Sequence, residues 1–183
     1  LRFIEKNKKD NSYIFGESPL SSLAKISRAA NIQPGSVIFD VGCGWGRSTF
    51  FLHKYNKAHR TIGIDIIPEY ISRAERIRKW TLMDFVVFIQ TDIRNVNYSD
   101  ADVIYLYATC LPKETILTLI QLWEEALQDG ALVISTSWDL HRYTTSGRFQ
   151  LQTQFDNNYL WGTCTVFVYC MVTPSSERID EPN

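Results

Sequence analysis

Apolar and polar positions alternate along this chain in two registers, and the switch between them outlines its architecture. SPLSSLAKISRAANI (residues 18–32) sets Leu20, Leu23, Ala24, Ile26 and Ala30 at helical spacing, with Ser18 as N-cap and Pro19 as first helical residue. Pro34 and Gly35 then make a turn, and SVIFDV (36–41) is a short apolar run of the kind a buried strand shows. GRSTFFLHKYN (46–56) returns to helical spacing, RTIGIDI (60–66) to a strand, and PEYISRAERIRKWTL (68–82) to a helix with Pro68 near its start. FVVFIQTD (85–92) and DVIYLYAT (102–109) read as strands, PKETILTLIQLWEEAL (112–127) as a helix and GALVISTSW (130–138) as a fifth strand.

Nearly continuous apolar strands separated by helices predict a parallel sheet covered on both faces. The last third changes character: RFQLQTQFD (148–156) and TCTVFVYCMV (163–172) are β-rich and joined by NNYLWG, with no helical segment between them. The expectation is a doubly wound α/β domain with a seven-stranded, mostly parallel Rossmann-like sheet that ends in an antiparallel β-hairpin. Its predicted limits are residues 18–173, after a charged lead-in over 1–17 and before a polar tail over 174–183, which reads as disordered.

Composition narrows the class. The chain has 183 residues, 45% of them hydrophobic, enough for one sizeable core. A formal net charge of -1 gives no broad basic field, so no nucleic-acid partner is expected. RAERIRK (73–79) carries a glutamate at helical spacing and reads as a solvated helix face. Cys43, Cys110, Cys164 and Cys170 form no CxxC pair, and they read as reduced, buried thiols of a cytoplasmic protein. His53, His59 and His141 lack metal-ligand spacing, so no metal is expected. No apolar run reaches membrane-spanning length; the chain starts at Leu1, so an anchor ahead of it stays open as an expectation.

Chemistry concentrates in VIFDVGCGWGRSTFFL (37–52), where Gly42, Gly44 and Gly46 follow a strand directly. Glycines between a strand end and a helix start let a ligand approach the backbone and are expected to present bare N–H groups at the sheet edge. No GK[ST] follows, which disfavours a P-loop, and the spacing is GxGxG rather than the dinucleotide GxGxxG. Asp40, two residues ahead of Gly42, disfavours a pyrophosphate and favours a ligand carrying an ammonium or sulfonium. Asp65, ending the second strand, is placed to accept hydrogen bonds from a ribose diol.

The pair hhDxGxGxG and hGhDh resembles the class I S-adenosylmethionine-dependent methyltransferases over residues 34–172. That resemblance implies S-adenosyl-L-methionine as cofactor. It assigns Asp40, Gly42, Cys43 and Gly44 to the methionine part, with Gly46 completing the loop. Asp65 then takes the ribose, Ile66 lies against the adenine, and Asp92 accepts from the adenine amino group with Ile93 beside it. The [DN]PP[YF] signature of enzymes that methylate exocyclic amines of nucleic acids is replaced here by YLYATCLP (105–112).

YIFGESPLSSL (13–23) resembles a segment of the DOT-type histone-lysine methyltransferases, and the fourth strand with its following proline resembles small bacterial and mitochondrial lysine methyltransferases. The histone enzymes' asparagine pair after the fourth strand is absent, and so is their basic DNA-contacting extension, which argues against a nucleosome substrate. The resemblance makes a protein lysine amine the leading acceptor. Glu17 is placed to close over the cofactor, and Tyr107, Thr109 and Trp138 to line the acceptor pocket, Tyr107 by stacking on a methylammonium or orienting an amine. Trp161 serves the hairpin or the substrate equally. A small-molecule methyltransferase and a non-catalytic cofactor-binding partner subunit stay open, and a nicotinamide-dependent reductase is the weakest alternative.

Overall fold

The structure, a computed structural model, describes residues 18–107, 109–159 and 162–174. The strands are β1 (Val37–Val41), β2 (Arg60–Asp65), β3 (Val86–Gln90), β4 (Val103–Tyr107), β5 (Leu132–Thr136), β6 (Phe149–Tyr159) and β7 (Gly162–Met171). They form one seven-stranded sheet in the order β3-β2-β1-β4-β5-β7-β6. The first five strands are parallel; β7 runs antiparallel to both β5 and β6. The expected Rossmann-like sheet with a terminal hairpin is therefore the fold.

Helices α1 (Leu20–Ala29), α2 (Arg47–Asn56) and α3 (Pro68–Thr81) cover one face, and α4 (Lys113–Ala126) covers the other. Their apolar stripes explain the layers. Leu23 and Ile26 of α1 and Leu52 of α2 pack with Ile38, Val103, Tyr105 and Ile134, while Ile71 and Ala74 of α3 pack with Val86 and Phe88. Opposite them, Ile116, Leu119, Ile120 and Trp123 of α4 meet Phe39, Val41, Ile62 and Ile104. Between β3 and β4 the chain makes only a three-residue 3-10 turn, Ile93–Asn95, and Tyr98 fills the space a helix would take, donating from its hydroxyl to the Ile93 carbonyl at 2.7 Å.

Two local expectations are corrected. Ser18 does not cap α1: Pro19 is the N-cap residue at ψ 144°, and Leu20 is the first helical residue. The Ser18 hydroxyl shares a buried hydrogen bond of 3.0 Å with the Tyr105 hydroxyl instead, a partner 87 residues away. The hairpin is also longer than its alternation suggests. Ser22 donates to the Asn158 carbonyl at 2.7 Å and Asn157 donates to the Ser22 carbonyl at 3.4 Å, which holds NNY within β6. Gly162 lies opposite Tyr159.

The four cysteines are free; Cys43 is buried and the other three are half-buried, so the expectation of four buried thiols holds only for Cys43. Arg76 and Lys79 project from α3 into solvent as expected of that face, Arg73 lays its guanidinium over the Trp45 ring, and Arg78 pairs with Glu75 at 3.0 Å. Among the described residues, no helix is long and apolar enough to cross a membrane, and no three metal-ligating side chains converge.

Candidate functional site

Strand order reverses between β1 and β4, and the crevice at the C-terminal ends of these strands is where open α/β sheets hold ligands. Gly42, Gly44 and Gly46 there all adopt positive φ, 79°, 54° and 82°. Their roles differ. A Cβ on Gly42 would meet nothing within 4 Å, whereas one on Gly46 would sit 2.5 Å from the Phe88 ring of β3. Gly42 thus borders open space, and Gly46 lets the start of α2 press against the sheet. Gly63 does the same from β2, since a Cβ there would lie 2.7 Å from Phe88 and 2.8 Å from the Thr49 hydroxyl.

The expected bare N–H groups are not found. The N–H groups of Gly42 and Cys43 both donate to the Ile64 carbonyl at 2.9 Å, and the Gly44 N–H donates to Asp65 Oδ2 at 2.9 Å. Gly46 N–H donates to the Cys43 carbonyl, also at 2.9 Å. These four amides are spent on β2 and within the loop, and none of them is left to form an anion nest of the phosphate-binding kind.

What the crevice concentrates instead is negative charge. Asp40 is 1% exposed, and its Oδ2 accepts from the Ser48 hydroxyl at 2.7 Å and the Thr49 hydroxyl at 2.6 Å. Burial raises its pKa to about 6 against the opposing pull of those hydroxyls, and the Asp65 charge adds to the rise. Asp65 is raised by burial too, offset by N–H donors of Ile67, Gly44 and Ile66. Gly44 N–H reaches one of its oxygens and Ile67 N–H the other, both at 2.9 Å, which leaves lone pairs for further donors. Burial also pushes the Cys43 thiol well up, with Asp40 and Asp65 contributing, so it is a protonated packing group. Next to Asp65, Ile66 leaves an apolar side chain 50% exposed.

Two buried carboxylates, both with raised pKa values, loop amides turned inward, and an exposed aliphatic beside a strand-end acid form a set that fits S-adenosylmethionine. The cofactor carries a sulfonium and an ammonium, a ribose diol and a flat adenine. A pyrophosphate ligand would fit poorly.

The remaining predicted residues fall into place unevenly. Asp92 is held by Arg94 in a fork of 3.0 and 2.6 Å and also accepts from the Arg94 N–H at 2.9 Å, which lowers its pKa. Ile93 turns into the core beneath α4 and is buried. Tyr107 packs its ring 5.3 Å from Tyr159, and burial raises its pKa. Thr109 is exposed, with its hydroxyl 3.5 Å from the Cys110 sulfur. Trp138 is not brought to Tyr107. It packs on Tyr143 at 5.5 Å against the core under α4, while Tyr107 lies with the opposite layer. Glu17 and Trp161 lie outside the described residues.

Three features escaped the sequence pattern. Tyr159, near Asn157 at 3.4 Å and Thr136 at 3.5 Å, joins Tyr107 at the hairpin side of the crevice; only the correct extent of β6 would have put it there. Ser48 and Thr49 as partners of Asp40 could have been found from their place in the first turn after the glycines. Trp45, with Arg73 over its ring at 3.8 Å and Tyr70 edge-on at 5.9 Å, walls a groove of about 620 Å³ between α1, α2 and α3 whose lining does not include Asp40 or Asp65.

Known proteins share this fold and its cofactor class. The carboxy-S-adenosyl-L-methionine synthase of Cronobacter sakazakii is 27% identical over 126 residues, 66% of this chain and 51% of that protein. Its Escherichia coli counterpart is 29% identical over the same shares. The chain spans about half the length of these curated relatives. An RNA methyltransferase from Salinibacter ruber, solved with S-adenosyl-L-homocysteine, superposes with a TM-score of 0.72 at 26% identity, over 90% of this chain and 99% of that one. TrmN from Thermus thermophilus shares the fold at a TM-score of 0.75 and 15% identity, over 88% of this chain and 52% of that one. The model of the ANTKMT methyltransferase domain matches residues 40–146, from the buried carboxylate of β1 past the end of β5. With more than half its length in that match, the chain belongs to the ANTKMT methyltransferase domain family, within the class I S-adenosylmethionine-dependent methyltransferases.

Proposed function

We propose that this protein transfers a methyl group from S-adenosylmethionine to the amine of a protein lysine. The observation that carries the cofactor half is the pair of buried carboxylates, Asp40 and Asp65, beside a glycine loop whose amides point inward. The bound cofactor supplies an activated methyl on a sulfonium. Asp65 would accept from the ribose hydroxyls through its unused lone pairs, Ile66 would cover the adenine, and Asp40 would offset the positive charge of the methionine part. Asp92 can reach the adenine amino group only by sharing oxygens that Arg94 already holds.

For the acceptor, the supporting observation is the Tyr107–Tyr159 pair with rings 5.3 Å apart. Aromatic faces attract an ammonium, and the half-buried Tyr107 ring is the one of the pair that an extended alkylammonium can reach. Burial keeps both phenols protonated, so neither removes a proton from the amine. The amine loses its proton to solvent before transfer. An RNA acceptor, as in the Salinibacter ruber relative, is less suited to a chain of formal net charge -1.

The test is label transfer from methyl-labelled S-adenosylmethionine in a cell extract, beside an Asp65→Ala control. A labelled protein band that the control lacks, with the label on lysine after digestion, is the expected result. Label confined to small molecules or to RNA would move the acceptor there. Cofactor binding without any transfer would make the chain a binding subunit.

A further inference from the structure

Among the described residues β3 is an edge strand, and it is bare in two respects. Val86 and Phe88 turn into the core under α3, but on the other face Phe85, Val87 and Ile89 are 62%, 38% and 39% exposed. The single-turn link from β3 to β4 explains that face: the layer built from α4 and Tyr98 reaches β2, whose Ile62 and Ile64 are buried, and stops there. The backbone edge is open as well. The Phe85 carbonyl accepts from Thr61 N–H at 3.0 Å, and Thr91 N–H donates to the Asp65 carbonyl at 3.1 Å. Because amides alternate along a strand, residues 85, 87, 89 and 91 serve β2, and Val86, Phe88 and Gln90 face outward. Val86 N–H is taken by the Met83 carbonyl at 3.1 Å, which leaves the N–H groups of Phe88 and Gln90 as the edge donors.

Edge strands of this kind are normally blunted by charges, proline or a bulge. The opposite edge of this sheet is: β6 presents Gln150, Gln152, Gln154 and Asp156 to solvent and carries a register shift between Leu151 and Thr153. Residues 85–90 contain no charge and no proline. The contrast within one sheet points to an edge that is covered.

We infer that β3 pairs antiparallel with β3 of a second copy of this chain, about a two-fold axis at Val87. The stretch is self-complementary in that register. Val87 falls opposite Val87 and Phe85 opposite Ile89, so every exposed apolar side chain meets another on the same face. Val86 falls opposite Phe88 as a hydrogen-bonded pair, with each Phe88 N–H directed at the Val86 carbonyl of the other copy. The charges agree. Asp84 falls opposite Gln90 rather than a second carboxylate, and the flanking pairs Arg60–Asp100 (2.7 Å) and Asp92–Arg94 (2.6 Å) are neutralised within each chain. Antiparallel pairing also leaves the two cofactor crevices open at opposite ends of a continuous sheet.

The register makes a sharp test possible. In a non-hydrogen-bonded antiparallel pair, Cα atoms directly opposite lie about 4.5 Å apart, within disulfide range. Under mild oxidation, full-length Val87→Cys is expected to form a covalent dimer. Phe85→Cys, whose own copy lies several residues away, is expected to show no more cross-linking than the wild type with its own cysteines treated in parallel. In sedimentation velocity across a dilution series, the wild type should be a reversible dimer. Val87→Lys, which sets two ammonium groups face to face, should weaken that dimer more than about a hundredfold. Its affinity for S-adenosylmethionine by calorimetry should be unchanged, because Val87 lies outside the crevice, and this checks its folding. A wild type that stays monomeric throughout overturns the pairing, as does a dimer that survives Val87→Lys or equal cross-linking of both cysteine variants. So does an apolar stripe that anionic vesicles or another protein cover on a monomeric chain.

Discussion

Asp65 places each carboxylate oxygen under one backbone N–H, of Gly44 and of Ile67, and keeps spare lone pairs toward the crevice. Asp92, one strand over, has both oxygens gripped by Arg94. The two acids should therefore contribute unequally to cofactor affinity. Hydrogen bonds to a charged group contribute about 1.5–3 kcal/mol, so Asp65→Ala should weaken S-adenosylmethionine binding roughly 10- to 100-fold. Asp92→Ala should change it less than about fivefold, because any bond it makes to the adenine displaces part of one to Arg94. Titration calorimetry on both variants, with circular dichroism to confirm folding, reads the ratio directly. A larger loss at Asp92 than at Asp65 would mean that Arg94 swings away when the ligand arrives.

At the scale of elements, the junction of β1, α2 and β3 is held by the fit of Phe88 against two glycines. Gly46→Ala would combine a left-handed residue, about 1–2 kcal/mol, with a Cβ 2.5 Å from an aromatic carbon, which adds about 1–3 kcal/mol of overpacking. The variant should lose on the order of 2–5 kcal/mol in denaturant unfolding. Phe88→Leu in the same chain should recover the overpacking part and leave the backbone part; a double-mutant cycle showing no coupling would rule out the contact as the cause. This junction was half legible. Glycine at three alternate positions after an apolar run announced the loop, and Asp40 announced the sign of its ligand, because both follow from local chemistry. Which way the loop's amides point was not, since it depends on Ile64 and Asp65 of the next strand. The same limit recurs elsewhere. Ser18 looked like a cap until Tyr105, distant in sequence, claimed its hydroxyl. NNY looked like a turn because its strand character rests on bonds to Ser22. Tyr107 ends one parallel strand and Trp138 follows the end of another, yet only the packing layers show that they part to opposite faces. Periodicity reports what each segment buries; it is silent on which partner answers each polar group.

Across the whole molecule, the cofactor site and the stability of the fold draw on one titration. Asp40 has its pKa raised from 3.8 to about 6 by burial, so the folded chain retains a proton there that the unfolded chain has released. Stability from this group is greatest below pH 4 and is lost as pH rises through 6, a change on the order of 2–3 kcal/mol. Asp65, raised by burial, acts with the same sign. His53, lowered by its own partial burial, acts with the opposite sign as pH rises toward its ordinary 6.5. Asp92, which Arg94 lowers, acts only below the ordinary aspartate range. Cofactor affinity should run against the Asp40 trend, since the ionised carboxylate is the form that offsets a cationic ligand, and should rise up to about tenfold per pH unit until Asp40 is ionised near pH 6. Asp40→Asn separates the two effects. Its amide oxygen can still accept from Ser48 and Thr49, but it cannot titrate. At pH 7.5 without cofactor the variant should melt several degrees higher than the wild type, with the advantage shrinking toward pH 4, and its weaker cofactor binding should no longer change between pH 5 and 7 through this group. Melting curves over that range, with and without S-adenosylmethionine, test the linkage. A variant less stable than the wild type by the same margin at every pH would show that the buried carboxylate is held for its hydrogen bonds alone, and that the charge in the crevice comes from Asp65.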